Sequence, residues 1–486
     1  EIIPGPHAAH PPLSPPASGE PNARTSSQPP TPRLATMCRG EAASSASGRR
    51  AAGGKPAEEE VRVVLYGKSV DVSSFARVHP GGAKVLRIFQ DRDATEQFAA
   101  YHSASARRML ESMLRDAPDA PQPPQQSDAQ QRPAASALPS QSALGRAFDE
   151  LTDELRAKGL FEPHYLDELF KISLVLVPYA VGVVLVGSNA APLVGALLIG
   201  FACYMSGWVS HDYLHHSVFP VHAGGAASLG EEATSKQLKQ ARANVRLNNA
   251  VGYWLGWIQG YEELWWKARH NTHHVVTNEH GNDPDIKTAP VLVFIRNNPT
   301  IARGLSWVQR WQQFYYLPVL SIMDLYWRLE SHAYLFMRPQ AKYWRRTLLL
   351  LLSDAFTLWL FHGNYRYLLL MTMLRGFATG VVVFATHYGE DILDGGDHGM
   401  TLVEQTALTS RNIKGGHLVN VLTGFISLQT EHHLWPTMPT AHLEEARKHA
   451  MAFFHKHGLE YREGSLLECV RLNIKALGFE HLQHLM

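Results

Sequence analysis

The chain has 486 residues, room for two or more domains, and its 45 Lys and Arg nearly cancel its 44 Asp and Glu, so a formal charge of +1 gives no reason to expect a nucleic-acid partner. Apolar residues at 45% and aromatics at 10% support a real core, while a mean hydropathy of −0.17 averages a polar first third with long apolar runs beyond it. Cys38, Cys203 and Cys469 are too scattered for a disulfide scaffold and point to a reducing compartment, whereas the 26 histidines fall largely into tight clusters.

Residues 1–58 are rich in Pro, Ala, Ser and Gly without apolar periodicity, and are expected to be a disordered tail. The first methionine is Met37, so the segment before it reads as upstream translated sequence or a fragmentary start, with a Ser-rich targeting peptide as the alternative. Residues 59–116 form a compact module: VRVVLYGKSVDVSSF has β character, and ATEQFAAYH and ARRMLESML read as short helices. Residues 117–145 open on a polar Pro/Gln stretch and are expected to be a flexible linker to a domain covering 146–486.

Beyond the linker come four apolar runs, roughly 170–187, 191–209, 347–362 and 366–386, each near the ~20 residues that cross a bilayer. Short joints around Asn189 and Gly363–Tyr365 make them two helical hairpins, which leaves every other long segment on one side. Lys171, Lys342, Arg345 and Arg346 favour the cytosol for that side, with Asp354 interrupting the third run. Segments 250–266 and 307–327 are too interrupted to span and read as interfacial or half-buried helices.

The first chemistry lies in the N-terminal module. HPGG at 79–82 presents His79 on a loop that lets backbone approach a flat cofactor, and His102 follows a helix-type segment bearing Phe98. Two imidazoles on opposite faces of a haem iron leave no open position, so such a site carries electrons. HPGG with the downstream D-A-T…F…Y-H resembles the cytochrome b5 domain, whose axial ligands His79 and His102 match, although the stretch before Val61 is shorter than that family's.

The second chemistry is three histidine boxes: HDYLHH at 211–216, HNTHH at 270–274 and QTEHH at 429–433. Histidines three or four apart share a helix face, and the two-hairpin topology brings all three boxes to one membrane face. Eight box histidines exceed one zinc site but suit two irons able to bind oxygen. Gln429 stands where a histidine would complete an H-x-x-H-H box.

With WWKARHNTHH, NDPDI, QFYYLP, TSRNIKGGH and QTEHHLWPTMP, residues 59–486 resemble the front-end membrane fatty acid desaturases that carry a fused cytochrome b5 domain. The resemblance implies a mostly α protein: a small α+β cytochrome b5-like domain, then a four-transmembrane-helix desaturase domain with a cytosolic histidine-rich cap. It carries over as iron ligands His211, His215, His216, His270, His273, His274, His432 and His433, with His387 as an extra ligand and Gln429 as the class-marking catalytic residue. Asp212, Asn271, Asp283 and Glu431 lie near enough in sequence to orient ligand rings, while His417 reads as structural and His442, His449, His455 and His457 as surface.

The implied activity is insertion of a cis double bond at position 4, 5, 6 or 8 of a polyunsaturated acyl chain held as acyl-lipid or acyl-CoA. The implied cofactors are haem b and two irons, with O2 as co-substrate and NAD(P)H electrons arriving through cytochrome b5 reductase. The implied location is the endoplasmic reticulum membrane. Alternatives are a sphingolipid long-chain-base desaturase, a b5-fused fatty acid hydroxylase, which Gln429 argues against, and a non-catalytic haem electron carrier, which leaves the boxes unexplained. Phe425 stands where many members of the family have a small residue ahead of the third box.

Overall fold

A computed structural model describes residues 60–76, 79, 81–102, 104–120, 143–221, 234–294, 304–338, 343–396 and 399–478. The whole of the expected tail and residues 121–142 of the expected linker lie outside these residues. The described chain is mostly helical, with two small two-stranded sheets.

In the N-terminal module the strands Arg62–Leu65 and Lys68–Asp71 pair antiparallel. They turn on Tyr66 and Gly67, at φ 50° and 73°, the left-handed pair that matches the twist of a two-residue hairpin. Alternation buries Val63, Leu65, Val70 and Val72 against Phe89, Ala94 and Leu110. The two expected helices form at Thr95–Tyr101 and Ala104–Asp116. Residues 117–120 are not free linker: Ser69 N–H donates to the Pro118 carbonyl at 2.9 Å and Ala120 N–H to that of Gly67 at 2.9 Å. At the other end a helix already begins at Ala143, because ALGRAFDELTDELRA carries an apolar stripe that packs on the C-terminal core.

Among the described residues, three helices are long and apolar enough to cross a bilayer: Tyr165–Gly187, Pro192–Leu214 and Tyr365–Ala385. The first two form a hairpin so close that a Cβ on Gly182 would sit 2.8 Å from the Gly195 carbonyl oxygen, and one on Gly195 2.8 Å from that of Gly182. The third expected run forms the 17-residue helix Trp344–Leu360, shorter than the other three. Its Asp354 is bound by Arg328 at 3.1 Å and His332 at 2.7 Å, so the interrupting charge is matched by neighbours. The two hairpin tips meet, with the Asn364 amide donating to the Asn189 side-chain oxygen at 3.1 Å. Charge within the third spanning helix is neutralised too, since Arg375 pairs with the buried Asp324.

At the opposite end from the tips the chain builds its polar cap. The segments expected to be broken are broken: one helix, Ser235–Gln259, ends at Gly260 with φ 93°, and the next starts at Glu263. Residues 307–327 divide among short helices at Gln309–Trp311, Gln312–Leu320 and Met323–Phe336. Lys171, at the start of the first run, is fully buried, bound by Glu168 and Asp167 at 2.8 Å and by Asp212 at 3.1 Å. A buried ammonium needs such partners, and here they tie the first spanning helix to the end of the second.

Candidate functional site

The helix Pro192–Leu214 delivers His211 on its last turn and is capped by His215, so the two rings face one way with centroids 4.6 Å apart. The helix Glu263–Val275 delivers His270, His273 and His274 on one face, as spacings of three and four dictate. The short helix Gln429–Leu434 adds His432 and His433. His387 follows the end of the third spanning helix.

These histidines form two adjoining groups. His211, His215, His270, His274 and His432 make one, and His273, His387 and His433 the other, with the ring nitrogens in each within 4.8 Å of one another. Nε2 of His274 lies 2.9 Å from that of His270 and 3.1 Å from that of His432. The groups touch where His274 and His433 stack at 4.1 Å between centroids.

His216 is the expected ligand that the fold sets apart from both groups. The helix has ended, the backbone enters the left-handed region at φ 61°, and the ring swings to Asn249 Oδ1 at 3.0 Å and Lys267 Nζ at 3.2 Å. His387 makes up the eight in its place. Gln429 is buried beside the third box, and its Oε1 has no hydrogen-bond partner among the described residues.

The donor set fits transition metals. Buried and without partners among the described residues are Nε2 of His215, His387 and His433 and Nδ1 of His274, and a buried polar atom left unpaired is costly unless something binds it. Burial, reinforced by neighbouring imidazoles, holds His215, His270, His274, His432 and His433 well below the ordinary imidazole range, so they are neutral donors. Burial and His273 push His387 down to about 3. His273 goes the other way: burial would depress it, but the carboxylates of Asp283 and Asp285 outweigh that and raise it.

Partners on the far side of each ring set which nitrogen faces inward. Asp212 Oδ1 lies 3.1 Å from His211 Nδ1, and Asp283 Oδ2 2.9 Å from His273 Nδ1. The Thr409 carbonyl accepts from His387 Nδ1 at 2.9 Å, and Thr277 Oγ1 is 3.2 Å from His433 Nδ1. Asp285, 3.6 Å from His273, and Thr277 and Thr409 escaped the sequence reading; Asp285 sits in the NDPDI string, and Thr277 one turn past His273. Glu431 does not orient a histidine. It accepts from Asn412 Nδ2 at 2.7 Å and the Tyr461 hydroxyl at 2.5 Å, bracing the third box from behind, and burial pushes its carboxyl up to about 7. Asn271 makes no hydrogen bond to a box histidine among the described residues. His417 and His455 are exposed, and His442, His449 and His457 half-buried. Asp283→Asn is expected to lower metal affinity by roughly 10–100-fold while leaving the fold intact, measured as metal retained against a graded chelator.

In the N-terminal module His79 and His102 face each other at 6.0 Å between centroids with planes 28° apart. Their Nδ1 atoms bond the Gly82 and Phe98 carbonyls, both at 3.2 Å, which leaves each Nε2 for a metal. Two Nε2 atoms about 2 Å either side of one metal put ring centres about 6 Å apart, so the pair fits axial ligation. Phe98 stacks on His102 at 4.1 Å. At Gly81 a Cβ would lie 2.9 Å from the His79 ring, so the loop needs glycine there to hold the imidazole close. Burial, with His79 adjacent, pushes His102 down to about 3, a neutral imidazole.

Comparison with known proteins gives two family matches: a fatty acid desaturase domain over residues 188–465 and a cytochrome b5-like haem/steroid-binding domain over residues 55–115. The chain is 56% identical over 429 residues to an acyl-lipid 8-desaturase of Rebecca salina, covering 87% of this chain and 92% of that protein. It is 30% identical to a Delta(8)-fatty-acid desaturase of Euglena gracilis, covering 82% and 90%. It is 25% identical to a Delta(5) fatty acid desaturase of Caenorhabditis elegans, covering 79% and 87%.

Proposed function

The chain belongs to the fatty acid desaturase family and carries a cytochrome b5-like domain, and from that premise we propose that it inserts a cis double bond at position 8 of a polyunsaturated acyl chain borne on a membrane lipid. The observation that carries the chemistry is the convergence of eight histidines, seven buried and His270 half-buried, from four separate stretches of chain, into two adjoining groups. The position and the lipid carrier rest on the names of the relatives at 56% and 30% identity.

In this reading one iron is held by His211, His215, His270, His274 and His432 and the other by His273, His387 and His433, while His79 and His102 hold haem b. When bound, the iron pair supplies reduction of dioxygen to water, and the haem supplies electrons one at a time. The chain's own residues do the rest. Asp212, Asp283 and Thr409 fix the tautomers of His211, His273 and His387 so that each presents a lone pair inward. Burial of the histidine cluster excludes water that would otherwise compete for open positions. Gln429 contributes an amide oxygen beside the third box that is committed to nothing else among the described residues. His216, bound to Asn249 and Lys267, is assigned a supporting role at the rim.

With three helices apt for spanning, the protein resides in a membrane. We place it in the endoplasmic reticulum, with its histidine face and haem module (59–116) in the cytosol, a catalytic domain at 146–486 and electrons drawn from NAD(P)H by cytochrome b5 reductase. The relatives above are fatty acid desaturases, so the hydroxylase, long-chain-base and electron-carrier readings gain nothing from them.

Expression in yeast fed single C18, C20 and C22 polyunsaturated acids, with gas chromatography of the methyl esters, tests this. A new double bond at position 8 is the expected product; none, or a hydroxylated chain, would sink the reading. Chain length is expected to answer to Phe425, which is 4% exposed and packed in the core cluster with Trp208, and whose ring sits 5.1 Å from the Lys171 ammonium. Phe425 holds φ 68°, a region costly for a bulky residue and natural for glycine. Phe425→Gly therefore relieves backbone strain but empties a buried volume, and the ratio of products from C18, C20 and C22 acids should change; identical ratios would contradict it.

A further inference from the structure

The two domains are not merely strung together. Val275 and Val276, which directly follow His273 and His274, are buried in the same apolar cluster as Val63, Leu65 and Phe89 of the haem module. Three residues on, the Arg92 guanidinium of that module makes two bonds to Glu279, at 3.0 and 3.1 Å, and Glu279 is only 1% exposed. On the other flank Glu96 of the module accepts the Leu402 N–H at 2.6 Å. Between these contacts stands Tyr101, the neighbour of His102. Its ring meets that of His274 edge to face, 5.9 Å between centroids at 72°, and its hydroxyl is buried with no partner among the described residues.

Resting on the reading above, we propose that the haem module works from one locked position: the Arg92–Glu279 clamp holds it, and the Tyr101 ring is the contact between the haem-side ligand His102 and the iron-side ligand His274. The clamp is a fork-on-carboxylate pair shielded from water, the strongest form of that interaction. The surface it grips is the end of the helix Glu263–Val275 and the turn that follows, so the docked module and the three histidines of that helix move as one piece. A tethered donor must search for its acceptor at the concentration its linker allows; a clamped one does not.

The electron balance is simple. Each double bond costs the chain two hydrogen atoms, and these, together with two further electrons and two protons, reduce one O2 to two waters. The electrons would leave the haem singly, each departure turning ferrous haem ferric, and the reductase would return one electron at a time from a nicotinamide. Tyr101 is a contact across which the electron passes, and its phenol is neither oxidised nor deprotonated.

The test uses full-length protein in lipid nanodiscs, loaded with haem and iron. Amide hydrogen exchange over Val275–Glu279 and at Leu402 reports docking, and stopped-flow reoxidation of reduced haem with O2 and acyl substrate reports transfer. Arg92→Ala is expected to raise exchange at those amides and slow reoxidation roughly tenfold or more, with the haem absorption band and iron content unchanged. Tyr101→Leu is expected to slow reoxidation without raising exchange. Should Arg92→Ala lose haem through misfolding, the reversal pair Arg92→Glu with Glu279→Arg must restore both readouts above the Arg92→Glu single variant. Unchanged exchange in Arg92→Ala, wild-type reoxidation despite faster exchange, or failure of the reversal pair overturns the clamp. Wild-type reoxidation in Tyr101→Leu overturns the contact. Wild-type protein that makes no double bond sinks the functional reading instead, and exchange still reports the docking.

Discussion

His432→Ala is expected to end desaturation and to lower bound iron from about two atoms per chain toward one. His432 belongs to the five-histidine group, where its Nε2 lies 3.1 Å from that of His274, and its ring centroid is 4.4 Å from that of His211. Removing it takes away a neutral donor from a dry site and leaves a void that a small side chain cannot fill with a lone pair. Loss of a mere orienting partner costs about 10–100-fold in metal affinity or activity, so loss of a ligand should cost at least ~100-fold. Product measured by gas chromatography and iron measured by plasma emission should fall together. Product at wild-type level with full iron would remove His432 from the metal site.

His102→Ala is expected to abolish the haem absorption band and to cut product at least ~10-fold, with partial return when separate cytochrome b5 is co-expressed. His102 is held by its Nδ1 bond to the Phe98 carbonyl and by stacking on the Phe98 ring, and both fix where its Nε2 points. Alanine keeps the helix Thr95–Tyr101 but removes one of the two facing imidazoles proposed to hold the haem. A free donor replaces a fused one only at its own concentration, so return should be incomplete. An intact haem band in the variant would show that His102 is not an axial ligand.

Much of this site was legible from spacing. Histidines at i, i+3 and i+4 share a helix face, so HDYLHH and HNTHH already pointed to clustered imidazoles, and HPGG with the downstream D-A-T…F…Y-H pointed to a facing pair. The four apolar runs became four helices. What spacing misjudged depended on where helices stop. His216 looked equivalent to His215, yet the helix Pro192–Leu214 ends just before them and the turn at φ 61° sends His216 to Asn249. Glu431 adjoins a ligand in sequence but points to Asn412 and Tyr461. For Lys171 the sequence shows its sign and not its neighbours; three carboxylates close around it.

The sequence by itself determined the helices, the ligand chemistry and the presence of two cofactor sites, because each follows from local periodicity and side-chain type. Only the tertiary structure decided that the histidines divide into groups of five and three, that His387 joins them while His216 lies apart, and that the N-terminal module sits on the end of the helix Glu263–Val275. Those outcomes turn on contacts between residues far apart in the chain, such as Arg92 with Glu279 and His387 with His433. Such contacts are set by how packed helices cross and where each one ends, and local spacing carries no information about either.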